Sequence, residues 1–248
     1  MNFHYALSVA ALIVVSSLSH GQDPATATPP PVAIGKDLSI TGWAVLGDKA
    51  KTFGPAEEEG KITFTGPDFG KKGKQIAAFF PKTELAEGQS LELSAKVNFT
   101  GVSGMGNFRY GVFQKRSRDH SRGWLGYCAY TGIDKKFPKG GLYASDPGND
   151  VSFDQATSRV LGVTLVPFKN IKDGAYQIKM SLKLVGTSIQ SSAALSSIGS
   201  QVVEFARYDG TDTQPSTTSF DALGFTTHEL LSADSFSLSE VSVKLVGP

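Results

Sequence analysis

The chain has 248 residues, a formal net charge of +1, 40% hydrophobic and 19% charged residues, 27 glycines and one cysteine. The apolar fraction excludes a disordered chain, the unpatterned glycine excludes collagen, and the balanced charge argues against general nucleic-acid binding. A single cysteine excludes an internal disulfide scaffold and a cysteine-rich zinc site.

Residues 1–21 read as a secretory signal peptide. The apolar run Ala6 to Val15 is shorter than the roughly 20 residues of a stable membrane span. Ser19-His20-Gly21 places small residues at −3 and −1 of a cut before Gln22, although the first five residues hold no Lys or Arg. Residues 22–32 form a Pro/Thr-rich linker with no apolar periodicity. The remainder, 33–248, reads as one domain of a secreted, periplasmic or cell-surface protein with no membrane span in its mature form. Cys128 sits in an apolar run and is expected to act as a small buried hydrophobe.

The domain reads as strand after strand. Leu91, Leu93, Ala95, Val97 and Phe99 alternate with mostly polar residues, and Tyr176 to Leu184 does the same on even numbers. With Thr187 to Leu195 and Gln201 to Tyr208 these predict an antiparallel meander. Further strands are expected over Lys61 to Thr65, Gln75 to Phe80, Asn107 to Lys115, Trp124 to Thr131, Arg159 to Val166, Phe220 to Phe225 and Ser235 to Val246. The last changes parity between Leu238 and Val241, which predicts a bulge near Ser239-Glu240. Glu57-Glu58-Glu59 reads as a solvated loop. Ten or more short strands, no amphipathic helix and no 20–50-residue repeat predict an all-β, two-sheet antiparallel jelly-roll sandwich.

Several catalytic patterns are absent: Gly-x-Ser-x-Gly, His-Glu-x-x-His and a Gly-rich phosphate loop. Past the leader only His120 and His228 remain, which excludes a three-histidine metal site. No predicted strand carries two acids on one face, as a pair for glycoside hydrolysis would require. Asp146-Pro147-Gly148-Asn149-Asp150 reads as an ordinary tight turn. Its second reading is a structural calcium site formed by Asp146, Asn149 and Asp150, whose oxygens suit that ion.

The richest composition lies between Arg109 and Lys139, with eight Lys or Arg against two Asp. That surplus of six leaves the rest of the chain five negative. Aromatic faces stack on sugar rings, and guanidinium forks pair with carboxylate or sulfate. The candidate ligand-binding residues are therefore Arg109, Gln114, Arg116, Trp124, Tyr127 and Tyr130. Alternation leaves open whether the Trp124, Cys128, Tyr130 set or the Leu125, Tyr127, Ala129 set of its strand faces inward.

Four segments carry a family resemblance: Glu87 to Leu93, Phe108 to Phe113, Gly123 to Tyr127 and Ser219 to Phe225. Over residues 36–246 the chain resembles the concanavalin A-like lectin/glucanase (LamG-like) jelly rolls of exported bacterial proteins. The resemblance implies a concave sheet face that often holds a glycan, in a family of lectins, carbohydrate-binding modules, glycosidases and polysaccharide lyases. The chain lacks the Glu-x-Asp-x-x-Glu strand of the glucanases and the Gln-x-His and Tyr-x-Lys-x-Gly-x-Tyr patterns of alginate-lyase-like members. The leading expectation is a non-catalytic binder of a polysaccharide or cell-surface glycan, with anionic glycans favoured. The alternatives are a lyase or glycoside hydrolase on the concave face, with Tyr127 or Tyr130 moving a proton, and an adhesion domain without a ligand.

Overall fold

The computed structural model describes residues 34–46, 56–58, 61–65, 75–104, 106–116, 123–132, 140–145, 159–163, 169–229 and 231–248. The expected leader and linker, residues 1–32, lie outside this set. In chain order the strands are β1 (Thr41–Leu46), β2 (Ala56–Glu58), β3 (Lys61–Thr65), β4 (Gln75–Glu84), β5 (Ser90–Thr100), β6 (Gly106–Lys115) and β7 (Trp124–Gly132). They continue as β8 (Gly141–Ala144), β9 (Arg159–Val163), β10 (Gly174–Val185), β11 (Ser188–Ser197), β12 (Glu204–Asp212), β13 (Ser219–Glu229) and β14 (Ser235–Val246). There is no helix among the described residues.

Two seven-stranded sheets stack face to face. Sheet A has the order β12-β11-β10-β5-β14-β3-β2, and sheet B the order β1-β4-β13-β6-β7-β8-β9. Neighbours pair antiparallel throughout, and the chain crosses repeatedly between the sheets, which makes the expected jelly-roll sandwich. The meander appears as β10-β11-β12. The bulge appears between Ser239 and Ser242, with Glu240 in the left-handed region at φ 51°. Beyond that bulge β14 no longer pairs with β3. Its free edge is taken by the segment before β1, through Gly35 N–H to Leu245 O and Leu38 N–H to Val243 O.

One expectation is corrected. The acidic run is not wholly a loop, because Ala56–Glu58 pairs with β3, with Glu58 opposite Lys61. An edge strand has one neighbour and an open side, so it tolerates charges that a central strand would not. Strands β1 and β8 were not anticipated either; each is short.

Period-two burial builds the core. The odd residues of β5 from Leu91 to Phe99 face inward with Ile178, Met180 and Leu182 of β10. They meet Phe108, Tyr110 and Val112 of β6 and Leu223 and Phe225 of β13. Phe99 anchors the centre, with ring centroids 5.4 Å from Phe108 and 5.3 Å from Phe236. Each such buried side chain contributes about 1.5–3 kcal/mol.

Polar groups that enter this core are matched across it. Tyr110 on sheet B donates to Ala194 O on sheet A at 2.8 Å, and Tyr208 on sheet A donates to Tyr130 O on sheet B at 2.6 Å. Asp212 at the end of β12 accepts two bonds from Arg159 of β9, at 2.6 and 3.0 Å, and one from Tyr127 of β7 at 3.0 Å. At the same margin the edge strands β9 and β12 come within backbone contact. A Cβ on Gly162 would collide with Asp209 O, and one on Gly210 would lie 2.7 Å from Leu161 O. Gly162→Ala and Gly210→Ala are therefore expected to cost roughly 1–3 kcal/mol each. Asp212→Ala, which removes the carboxylate that Arg159 and the Tyr127 hydroxyl bond, should cost about 3–5 kcal/mol. Urea midpoints with an unchanged slope measure both.

Candidate functional site

The structure separates the six candidate residues. Arg109 and Tyr130 face each other across β6 and β7, and Lys115 faces Trp124, all on the outer side of sheet B. Tyr127 has the opposite parity and lies in the core between the sheets. Gln114 is half-buried and accepts from the Thr217 hydroxyl at 3.0 Å. Arg116 is exposed, and its backbone N–H closes the hairpin onto Gly123 O. Residues 117–122 of that hairpin lie outside the described set, as do Asp146, Asn149 and Asp150 of the calcium reading. Among the described residues no cluster of three His, Cys, Asp or Glu could hold a metal ion.

The outer side of sheet B is a second apolar cluster of Ala77, Phe113, Trp124, Cys128, Tyr130, Tyr143 and Ala222. Its geometry is that of an aromatic box. The Arg109 guanidinium lies 3.8 Å from the Tyr130 ring centroid, and its Nε donates to Asn107 Oδ1 at 2.7 Å. Tyr130 and Tyr143 are 4.4 Å apart, Phe113 meets Trp124 edge-on at 5.5 Å, and Lys115 Nζ lies 5.2 Å over the indole. The composition is what stacking on a sugar would use, but Arg109 is 1% exposed and Trp124 and Tyr130 are 0% exposed. In this conformation these side chains pack on one another and are buried. Cys128 is buried in the same cluster, as expected of a small hydrophobe.

Tyr127 is buried between the sheets, with its hydroxyl on Asp212. Burial, then the charge and hydrogen bond of Asp212, push its phenol far above the usual range. It remains a neutral donor inside the sandwich.

Among the described residues, accessible relief is found on the outer face of sheet A. A groove of about 590 Å³ crosses β12, β11, β10, β5 and β14. Strand register arranges its floor in rows. One row runs Arg207, Ala194, Lys179, Ser94, Ser242, and the next runs Asp209, Ser192, Ser181, Glu92, Lys244. A second depression of about 530 Å³ shares Ser181, Ser192 and Asp209 and extends to Lys183, Gln190 and Thr211. A third of about 370 Å³ shares Lys179 and Ala194 and ends at Ile198 and Val202. The three form one trough along the strands, about 20 Å from Gln177 to Lys183. Serine and alanine make it, because short side chains alternate there with inward core residues. Sequence alternation shows these positions to be polar, but it does not show which strands lie side by side.

No family model matches the chain, and no curated protein matches it. Among solved structures it is similar to the metal-free carbohydrate recognition domain of Emp46p, at 12% identity over 83% of this chain and 88% of that chain, TM-score 0.48. It is also similar to the Ca²⁺/Man-bound exoplasmic/lumenal domain of VIP36, at 11% identity over 82% and 89%, TM-score 0.45. A third is the legume lectin-like domain from Entamoeba histolytica, at 11% identity over 83% and 90%, TM-score 0.44. The sandwich described above rests on its own strand order and register.

Two outcomes follow from this placement. Trp124→Ala should lower stability by about 3–5 kcal/mol and Arg109→Ala by roughly 2–3 kcal/mol, read as falls in urea midpoint. Asp221 tests the margin of the same sheet by pH. Burial raises its carboxyl above 3.8, against a 2.7 Å bond from Lys115 N–H and the charges of Lys82 and Lys115. Its contribution is therefore fully present below pH 3.8 and is lost as pH rises through the higher folded value. Asp221→Asn should stabilise the fold near pH 7, with a smaller gain at pH 3, in paired thermal scans.

Proposed function

We propose that this chain is an exported, non-catalytic β-sandwich that binds a polysaccharide or cell-surface glycan along the trough on sheet A, with anionic glycans favoured. The observation that carries this reading is the trough itself. It is open, long in one direction, and floored by hydroxyls between charged side chains. Serine hydroxyls donate and accept, carboxylates accept, and ammonium and guanidinium groups donate, which together match a ligand bearing many hydroxyls. An adhesion face without a ligand has no need of such a depression. The central groove holds Lys179, Arg207 and Lys244 with Glu92 and Asp209, and Lys244 is paired with Asp37 at 3.8 Å. The anionic preference is supported by Lys179 and Arg207, which stand in one row on either side of Ala194. Export rests on the apolar run and cut pattern of residues 1–21.

Spacing on the trough supports binding without catalysis. Glu92 and Asp209 share a row but are separated by β10 and β11. Three strand spacings put their backbones about 14 Å apart, whereas the carboxyl groups of a glycosidase pair stand roughly 5–10 Å apart, so these two acids would have to lean toward each other over β10 and β11 to act as one. A lyase mechanism on Tyr127 or Tyr130 is not supported either, because both are buried away from the trough.

With no exposed aromatic in the trough, affinity per site comes from hydrogen bonds and charge. Ser192→Trp, which fills the floor, should weaken glycan binding at least about tenfold without changing the unfolding free energy by more than about 0.5 kcal/mol. A panel of immobilised neutral, uronic and sulfated glycans measures it. Retention of the native protein on none of them would sink the reading.

A further inference from the structure

We propose that the trough contains a defined seat for one anionic group of a sugar unit, a carboxylate or a sulfate ester, held over Ala194 between Lys179 and Arg207. The inference rests on the trough being the glycan site and adds which atoms choose the ligand.

The register makes the seat. Lys179 on β10 is opposite Ala194 on β11, and Ala194 is opposite Arg207 on β12. The three side chains leave the same outer face, and the two cations start about 10 Å apart, two strand spacings. Ala194 ends at its methyl, so the space between the cations stays open. The same β11 position in the neighbouring rows is Ser192, between Asp209 and Ser181, and Gln190, between Thr211 and Lys183. Only the Ala194 row has a cation on both sides of a gap.

Both charges are available. Lys179 has no ion-pair partner among the described residues. Arg207 has only a 4.0 Å approach to Asp209 along its own strand, with both side chains more than half exposed. Such a rim pair contributes little and yields to a better-placed anion. A single anion over Ala194 relieves the repulsion between the two cations and accepts the guanidinium fork on one side and the ammonium on the other.

The neighbouring row fixes orientation. It lies two residues further along the strands, about 7 Å away. Asp209 and Glu92 there repel an anion and accept hydroxyl protons, while Ser192 and Ser181 bond in either sense. A sugar unit with its acid over Ala194 and its ring hydroxyls toward Ser192 and Asp209 satisfies both rows. The reversed unit sets acid against acid.

Calorimetry of the purified protein with neutral, uronic and sulfated oligosaccharides of equal length tests this. The expected result is about tenfold tighter binding of at least one anionic series than of the neutral series at low salt, shrinking as salt rises. The Lys179→Ala/Arg207→Ala variant should bring anionic and neutral affinities together. Ala194→Leu keeps both charges but fills the seat, and should also remove the preference. Lys172→Ala, an exposed lysine outside the trough, should keep it. Tighter uronic binding identifies the group as a carboxylate, and tighter sulfated binding as a sulfate ester. Equal neutral and anionic binding by the native protein overturns the seat and leaves the trough standing. Loss of preference in the double variant but not in Ala194→Leu also overturns it, because net charge alone would then suffice. Binding of no glycan overturns seat and trough together.

Discussion

The sandwich depends on the margin where β9 of one sheet meets β12 of the other. With one cysteine there is no disulfide to hold the sheets together. Two glycines, Gly162 and Gly210, remove the side chains that would keep these edges apart. Asp212, with no exposed side-chain surface, then draws Arg159 and Tyr127 into one buried network beside them. A buried carboxylate is costly unless paired and hydrogen-bonded, so this network tolerates few other arrangements of the two strands. It also leaves little of the β12 edge open to strand addition by another chain.

That closure places the rest. Tyr110 and Tyr208 span the core from opposite sheets, each ending on a backbone carbonyl of the other. Burial pushes both phenols above their usual range, so they hold their protons and remain donors. The meander β10-β11-β12 is thereby tied to sheet B at both its middle and its edge. Its outer face carries the trough, and a face so anchored keeps its rows in register. Weak polar contacts need that rigidity, since each unit of disorder in the floor would have to be removed on binding.

The two outer faces divide the chemistry in an unexpected way. The aromatic and arginine residues that resemble a sugar site stack on one another and are buried on sheet B. The outer face of sheet A, which holds the trough, is built from serine, alanine and scattered charge. Arg109 shows what composition leaves open. Its guanidinium packs on Tyr130 and bonds Asn107 within its own sheet, which neither the charge count nor the aromatic content of the segment discloses.

Much of the fold was legible because strands have period two. Leu91 to Phe99 and Tyr176 to Leu184 declare an inner and an outer face from the residues alone, and the parity change after Leu238 declares the bulge. The same rule leaves the direction of Trp124 to Tyr130 open, because both of its faces are apolar. The sequence by itself determined the all-β class, the meander, the absence of an internal disulfide and the polar character of the outer positions of β5 and β10. Only the tertiary structure decided that Tyr127 turns inward while Trp124 and Tyr130 turn outward. It alone set Lys179, Ala194 and Arg207 in one row. The physical reason is that alternation is local to a strand, whereas a site across a sheet is set by which strands are neighbours and in what register.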